Sequence, residues 1–260
     1  MDPIIFGLVV VLVINLLIYP IAYKLQTDKL TDITYALSFA TIAVYGFVGG
    51  LSVTSVSKMI LAALILLWAM RLGLFLLDRV SKMGRDARFD QIRVNPIRFL
   101  RFFLIQAVSA WIISLPFLFR LLQDPGIDSS LSQVTSIEWL GFVIAAFGLI
   151  IEAVADYQKS AFKSLKGNEN KIYYGGLYKV VQYPNYLGEI LFWIGIFIAS
   201  TPAIWGVRWL TITSPIIIFL LLLFLSGIPT IRRSRQQKHG SDPVYQAYIK
   251  VTKLLIPGIY

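Results

Sequence analysis

Ionisable side chains at several places in this sequence stand inside or at the edge of long apolar runs. Such groups are costly in a bilayer and normally face a bundle interior. Asp32 lies in Leu30-Thr31-Asp32-Ile33-Thr34-Tyr35. It can belong to a helix N-cap, with Thr31 or Asp32 satisfying free backbone amides, or serve as an acid at the mouth of a cavity. The two roles are compatible. Arg71 sits mid-run in Leu67-Trp68-Ala69-Met70-Arg71-Leu72. It can snorkel to the interface or pair with a carboxylate such as Asp32 or Glu152, or it can reach a phosphate or ribose. Glu152 and Asp156 are one helical turn apart, and Glu152 sits among Ile150, Ile151, Ala153 and Val154. That setting is too apolar for a freely solvated ion-pair ladder with Lys159 and Lys163. Two carboxylates there can accept hydrogen bonds from ribose hydroxyls or an amide. Pro184 is a good first helical residue. It puts Asn185 in the first turn and Glu189 one turn further, where free amides favour an anionic ligand or are simply capped. Gly175-Gly176 permits a tight turn before that helix. Arg232-Arg233-Ser234-Arg235 can be a lipid-headgroup patch or a bidentate phosphate clamp.

The elements that position these groups follow from composition. Of 260 residues, 57% are hydrophobic and only 15% are charged, well under the quarter typical of soluble domains. The chain is therefore expected to be an all-α integral membrane protein. Its apolar runs fall at 3–23, 33–51, 59–78, 99–122, 136–155, 187–205 and 209–228, each near the length of about 20 residues that a spanning helix needs. These are continuous runs rather than ten-residue alternations, which argues against a barrel. The first run has no basic residues before it and no small-residue cleavage site after Tyr19-Pro20, so it is expected to be a span and not a leader. Trp205 to Arg208 would close a tight hairpin between the last two spans.

A seven-helix bundle with alternating topology puts every Lys and Arg on one face except Lys58, Arg71, Arg120 and Arg208. By the positive-inside rule the N-terminus is outside and the C-terminus cytoplasmic. The whole of 1–260 reads as one polytopic domain whose basic cytoplasmic loops, 79–98, 156–186 and 229–260, carry the function.

Several chemistries are excluded. There is no cysteine and one histidine, His239, so thiolate and multi-histidine metal sites are ruled out and no metal is expected. The formal charge of +10 suits anionic headgroups or an anionic ligand, and nucleic acid is the least fitting partner. Gly175-Gly176-Leu177-Tyr178 is not a dinucleotide fingerprint, and no βαβ unit could carry one. Repeats or broken helices of a transporter are not evident. Three basic loops converge on half-spans carrying Asp32, Tyr35, Arg71, Glu152, Asp156, Asn185 and Glu189. That fits an enzyme taking a phosphorylated soluble cofactor and a lipid-like substrate, with hydride transfer or methyl transfer as its chemistry.

Lys171-Ile172-Tyr173-Tyr174-Gly175-Gly176-Leu177-Tyr178 followed by Tyr183-Pro184-Asn185-Tyr186-Leu187-Gly188-Glu189 resembles the C-terminal signature of the steroid 5-alpha-reductase family. Glu152-x3-Asp156, Trp68-x2-Arg71 and Leu255-Ile256-Pro257-Gly258 are similar to it in order and approximate spacing. Gly84-Arg85-Asp86-Ala87-Arg88-Phe89 resembles a motif of the bacterial branch. The resemblance implies seven spans in a bacterial inner membrane, NADPH as cofactor, and reduction of the 4,5 double bond of a 3-oxo steroid or similar lipid enone. It implies that Glu152, Asp156, Lys163, Lys171, Tyr178, Asn185 and Glu189 hold the cofactor. Arg71, Arg79, Arg85, Arg88, Arg232, Arg235 and His239 complete that set. The family's glutamine–glutamate catalytic pair corresponds to Thr31-Asp32. Its catalytic tyrosine falls at Trp68, so Tyr35, one turn from Asp32, is the expected replacement. Trp68 and Tyr45 are then expected to face the substrate. Membrane methyltransferases of the isoprenylcysteine and phospholipid type share a similar proline-containing motif. They carry paired glutamates where this chain has Arg232 to Gln237, and this departure favours NADPH over S-adenosylmethionine.

Overall fold

The computed structural model describes residues 2–50, 55–83, 90–123, 133–225 and 227–258, with residues 76–83, 90, 91 and 225 described by their backbone only. Helix α1 is Pro3–Lys24, α2 Lys29–Gly49, α3 Val56–Met83, α4 Asp90–Arg93 and α5 Pro96–Leu122. Then come α6 Ser136–Ser164, α7 Pro184–Ser200, α8 Thr213–Leu220, α9 Ile228–His239 and α10 Pro243–Val251. Among the described residues, seven helical segments are long and apolar enough to cross a membrane. Among the described residues the one β-type pairing is an isolated parallel bridge between Val181 and Lys253. The all-α, seven-span expectation therefore holds.

Caps and prolines start the helices where the sequence supplies them. Asp2 Oδ1 accepts from the Ile4 amide at 2.7 Å and Pro3 opens α1. Asn95 accepts from the Arg98 amide at 3.0 Å ahead of Pro96. The cap expected at Asp32 is not there. Helix α2 begins four residues earlier than its apolar run, with Asp28 at the N-cap position and Asp32 inside the first turn. Residues 29–32, polar apart from Leu30, extend the helix because its backbone bonds do not need an apolar side chain. The Asp28 carboxylate is instead paired with Arg93 at 2.9 Å.

The chain turns tightly between the last two spans, as expected, Pro184–Ala203 being followed after two residues by Gly206–His239. It runs through 3₁₀ turns at Thr201–Ala203 and Gly206–Ile212. The Arg208 guanidinium lies 3.8 Å over the Trp205 ring and 4.6 Å over Phe119, a cation–π stack that fixes the turn. A π-helical stretch, Leu221–Leu225, follows α8.

The chain forms two compact units, Met1–Phe142 with Ile196–Ser214, and Val143–Gly195 with Pro215–Tyr260. In the first, α2 packs on α3 and α5, and α1 packs on α5 and α2. Its interior holds Phe39, Trp68, Phe99, Phe103 and Phe117, all closed to solvent. On the outer face of α1, Ile5, Val9, Val13, Leu16, Leu17 and Ile21 stay uncovered. An apolar stripe of that length fits lipid rather than water.

Besides Arg93, two further cations described in this unit, Lys58 and Arg120, are buried. Arg120 donates from Nε and Nη2 to Glu138 Oε1 at 2.9 and 2.8 Å. The Ser57 hydroxyl donates to the same oxygen. The Thr135 amide and hydroxyl donate to Oε2, both at 2.9 Å. Lys58 Nζ donates to the Gln123 carbonyl at 2.8 Å and the Gly50 carbonyl at 3.3 Å.

In the second unit, α6 and α7 touch backbone to backbone. A Cβ added at Gly148 would sit 2.5 Å from the Phe192 amide nitrogen, and one at Gly188 would sit 2.6 Å from that of Glu152. Only paired glycines allow that approach.

Candidate functional site

In the first unit, Asp32 and Tyr35 are both half-buried on α2. The Tyr35 ring meets Phe39 edge-on at 5.0 Å, and Phe39 meets Trp68 in the same way at 5.1 Å. Tyr35 and Trp68 are thus linked through one aromatic chain, and half-buried Arg71 follows Trp68 by one turn on α3. Tyr45 stands apart. Thirteen residues along α2 from Asp32, it is about 20 Å away. Its hydroxyl donates to the Pro3 carbonyl at 3.2 Å and its ring packs on Phe6. Arg79 is described by its backbone only, and Arg85, Arg88 and the surrounding Gly84–Phe89 motif lie outside the described residues.

The second unit gathers most of the remaining candidates. Glu152 and Asp156 are buried on α6. The Gly188 contact brings Glu152 against the start of α7, where Asn185 and Glu189 each stand within one turn of Gly188. Between these helices the chain makes a 3₁₀ turn at Gly176–Lys179. Gly176 opens it at φ 52°, a backbone state that costs glycine little, and a Cβ there would collide with the side-chain amide of Gln158. Gln158 Oε1 accepts from the Leu177 amide at 3.0 Å. The turn thereby drives Tyr178 inward until only 2% of it is exposed.

Around Tyr178 the rings are close-set. Tyr173 lies 5.6 Å away. The Tyr248 hydroxyl donates to the Tyr178 carbonyl at 2.7 Å, and the Tyr248 ring packs on Tyr174 at 4.7 Å. Tyr183 and Tyr186 lie nearly parallel at 5.8 Å. Arg235 reaches in from α9, its guanidinium 5.1 Å from the Tyr183 ring. Arg235 is within electrostatic reach of Tyr174, Tyr178, Tyr183 and Tyr248. Lys163 lies within reach of Arg235 and Lys238, and Arg232 within reach of Tyr183.

Burial pushes the Tyr178, Tyr248, Tyr183 and Tyr174 phenols up from the ordinary tyrosine value. At Tyr178 the Asp156 carboxylate adds to the shift, while Arg235 opposes it. These groups are therefore neutral hydrogen-bonding phenols at physiological pH. The Tyr178 hydroxyl is buried and has no hydrogen-bond partner among the described residues. A buried phenol normally finds one, so an acceptor or donor brought by a ligand would complete it.

Two expected residues are turned to local tasks. Lys171 is exposed and donates to Asn168 Oδ1 at 3.0 Å. The His239 ring packs on Tyr245 at 6.4 Å. The sequence reading missed Gln158, Tyr174, Tyr183, Lys238 and Tyr248. The one available signal was the density of tyrosines around the glycine pair and Pro184.

Helical spans with lipid-facing apolar stripes, and a polar, aromatic and basic site in the segments between and after them, define a polytopic integral membrane protein. The chain belongs to the DUF1295 family, described as a protein of unknown function, whose model matches residues 18–252. A protein from Ustilaginoidea virens named Probable O-methyltransferase ustE is 38% identical over 66 residues, 25% of this chain. The match spans 23% of that relative's length. No solved structure matches the chain.

Proposed function

We propose that the protein is a membrane reductase that takes NADPH from the cytoplasm and reduces a carbon–carbon double bond conjugated to a carbonyl. The substrate class is a 3-oxo-4-ene steroid or a similar lipid enone, drawn from the bilayer of a bacterial inner membrane. The observation that carries this reading is the cluster of Arg235, Lys163, Lys238 and Arg232 around stacked tyrosines and the unpartnered Tyr178 hydroxyl. Phosphates want guanidinium and ammonium groups, and flat heterocycles want ring faces. Buried Glu152 and Asp156 can accept from ribose or amide groups. The residues present therefore fit the group. When bound, NADPH supplies the hydride.

The protein's own part is to hold that cofactor and to stabilise the charge that develops on the substrate. As hydride adds to the β-carbon, negative charge moves to the carbonyl oxygen. The Tyr35 hydroxyl is proposed as the hydrogen-bond donor there, with Asp32 either donating in its protonated form or, as a carboxylate, polarising Tyr35. A proton then adds to the α-carbon, which completes a net addition of two hydrogens.

Methyl transfer is the second reading, favoured by the partial similarity to the named methyltransferase. S-adenosylmethionine carries a net positive charge from its sulfonium, and a cluster of four cations repels it. That electrostatic sign supports NADPH.

Purified protein in detergent should bind NADPH in calorimetry and oxidise it when offered a 3-oxo-4-ene steroid or another enone. Asp32→Asn and Tyr35→Phe should each slow single-turnover oxidation by about 10²–10³-fold. Binding of S-adenosylmethionine with no binding of NADPH would overturn the proposal and promote the methyltransferase.

A further inference from the structure

Helix α10 has two unlike faces. Tyr245, Tyr248, Ile249 and Thr252 turn inward, buried or half-buried. On the other side, Val244, Ala247 and Val251 form a stripe at i, i+3 and i+7, with Val244 61% and Val251 80% exposed. Ile256 and Val180 continue the uncovered aliphatic surface, and exposed Lys179, Lys250 and Lys253 border it. From Ile228 to Gly258 the sole acidic residue is Asp242, and it is used in capping the Val244 amide at 2.9 Å.

The position of this surface relative to a span is set by hydrogen bonds. The Gln182 amide donates to the Lys253 carbonyl at 2.8 Å, and the Tyr183 amide to the Leu254 carbonyl at 3.2 Å. Gln182 Nε2 donates to the Thr252 carbonyl at 2.6 Å. The next residue, Pro184, is the first of a membrane span. Residues 252–254 therefore stand level with the end of that span. An aliphatic stripe bordered by lysines at that depth has the chemistry of an interfacial helix, and lysines beside a membrane are attracted to anionic lipid.

We propose that α10 and residues 252–256 form an amphipathic strap lying in the membrane interface. Val244, Val251 and Ile256 enter the acyl boundary, and Lys179, Lys250 and Lys253 sit on anionic headgroups. The strap is bonded to the Tyr178 turn through Tyr248 and Gln182, so anionic lipid holds that turn in place. This inference does not depend on the reaction proposed above.

The chain has no cysteine, so single cysteines can be placed on the full-length protein and spin-labelled in nanodiscs. Cysteines are introduced in turn at positions 244–251, with Asn170→Cys in the exposed loop after α6 as the aqueous reference. Discs are made of phosphatidylcholine with or without phosphatidylglycerol. Labels at 244, 247 and 251 should collide with oxygen in preference to a nickel chelate, in a helical period, and the Asn170 label should do the reverse. Phosphatidylglycerol should strengthen the contrast at 251, and Lys250→Glu with Lys253→Glu should abolish that gain. The proposal is overturned if 247 and 251 are as open to the nickel chelate as Asn170 in both disc types. It is equally overturned if the 251 label shows dipolar broadening that dilution with unlabelled protein removes, because a second copy of the chain would then cover the face.

Discussion

Glu138 in one unit and Tyr178 in the other are polar side chains sealed from solvent, at 0% and 2% exposure, yet their surroundings are built in opposite ways. Glu138 has both oxygens occupied by Arg120, Ser57 and Thr135, so nothing remains for a ligand to add. Tyr178 has a backbone held by Tyr248 and a turn held by Gln158, while its hydroxyl has no partner among the described residues and lies within electrostatic reach of Asp156 and Arg235. A closed network serves the fold. An open polar end inside a rigid frame costs stability and is kept where something else completes it.

The largest expected effect tests the closed side. Glu138→Ala leaves the Arg120 guanidinium buried without its partner and should cost about 3–5 kcal/mol, read as a large fall in thermal midpoint in detergent. A midpoint equal to wild type would show that the network holds nothing together. Next, Arg235→Ala should leave the midpoint in place but weaken NADPH binding, on the order of 1.5–3 kcal/mol, the range for a bond to a charged group. A titration with unchanged affinity would remove Arg235 from the site.

A pH series distinguishes the units more gently. Burial raises the Tyr174, Tyr178, Tyr183 and Tyr248 phenols. The unfolded chain therefore releases these protons first once pH passes about 10. Stability should be flat below that value. Above it, stability should fall by on the order of 1 kcal/mol per further pH unit for each of the well-buried Tyr178 and Tyr183, and by less for the partly exposed Tyr174 and Tyr248, whose charges water screens. Denaturation midpoints from pH 8 to 11 followed by tyrosine absorbance would show it, and a flat profile would contradict the burial of these rings. The smallest effect is that of Tyr178→Phe. It removes a hydroxyl with no internal partner, so the free protein should be as stable as before or slightly more so. Cofactor binding should weaken by about 0.5–1.5 kcal/mol. A loss of stability without a loss of binding would make Tyr178 another closed contact.

Seven spans could be read from the chain because an apolar run of membrane length has few other uses. What hydropathy marks, however, is the buried length and not the helix. Residues 29–32 and 156–164 are mostly polar and still helical, and that is why Asp32 lies inside the first turn of α2 and not at its cap. The start of α7 was legible because Pro184 and Asn185 act locally. The Arg120–Glu138 pair was not, since it joins the end of α5 to the start of α6 and no short-range pattern announces it. The same holds for Gln158 and Leu177, nineteen positions apart. The glycine pair signalled a tight turn but not the side chain that fills it. Arg235 and Tyr178 were both singled out from sequence. Their meeting through Tyr183 and Tyr248 depends on how the tail returns to the turn, and composition does not encode that.

The bonds from Gln182 to Thr252 and Lys253 also set a schedule. Gln182 and its Thr252 acceptor are 70 residues apart in the chain. At about 5–20 residues per second of synthesis, the turn that carries Tyr178 waits roughly 4–14 s for the partners that lock it. During that interval the spans on either side can already be inserted while the turn between them is still unlocked. The ribosome thus delivers the membrane scaffold first and the locked Tyr178 turn last.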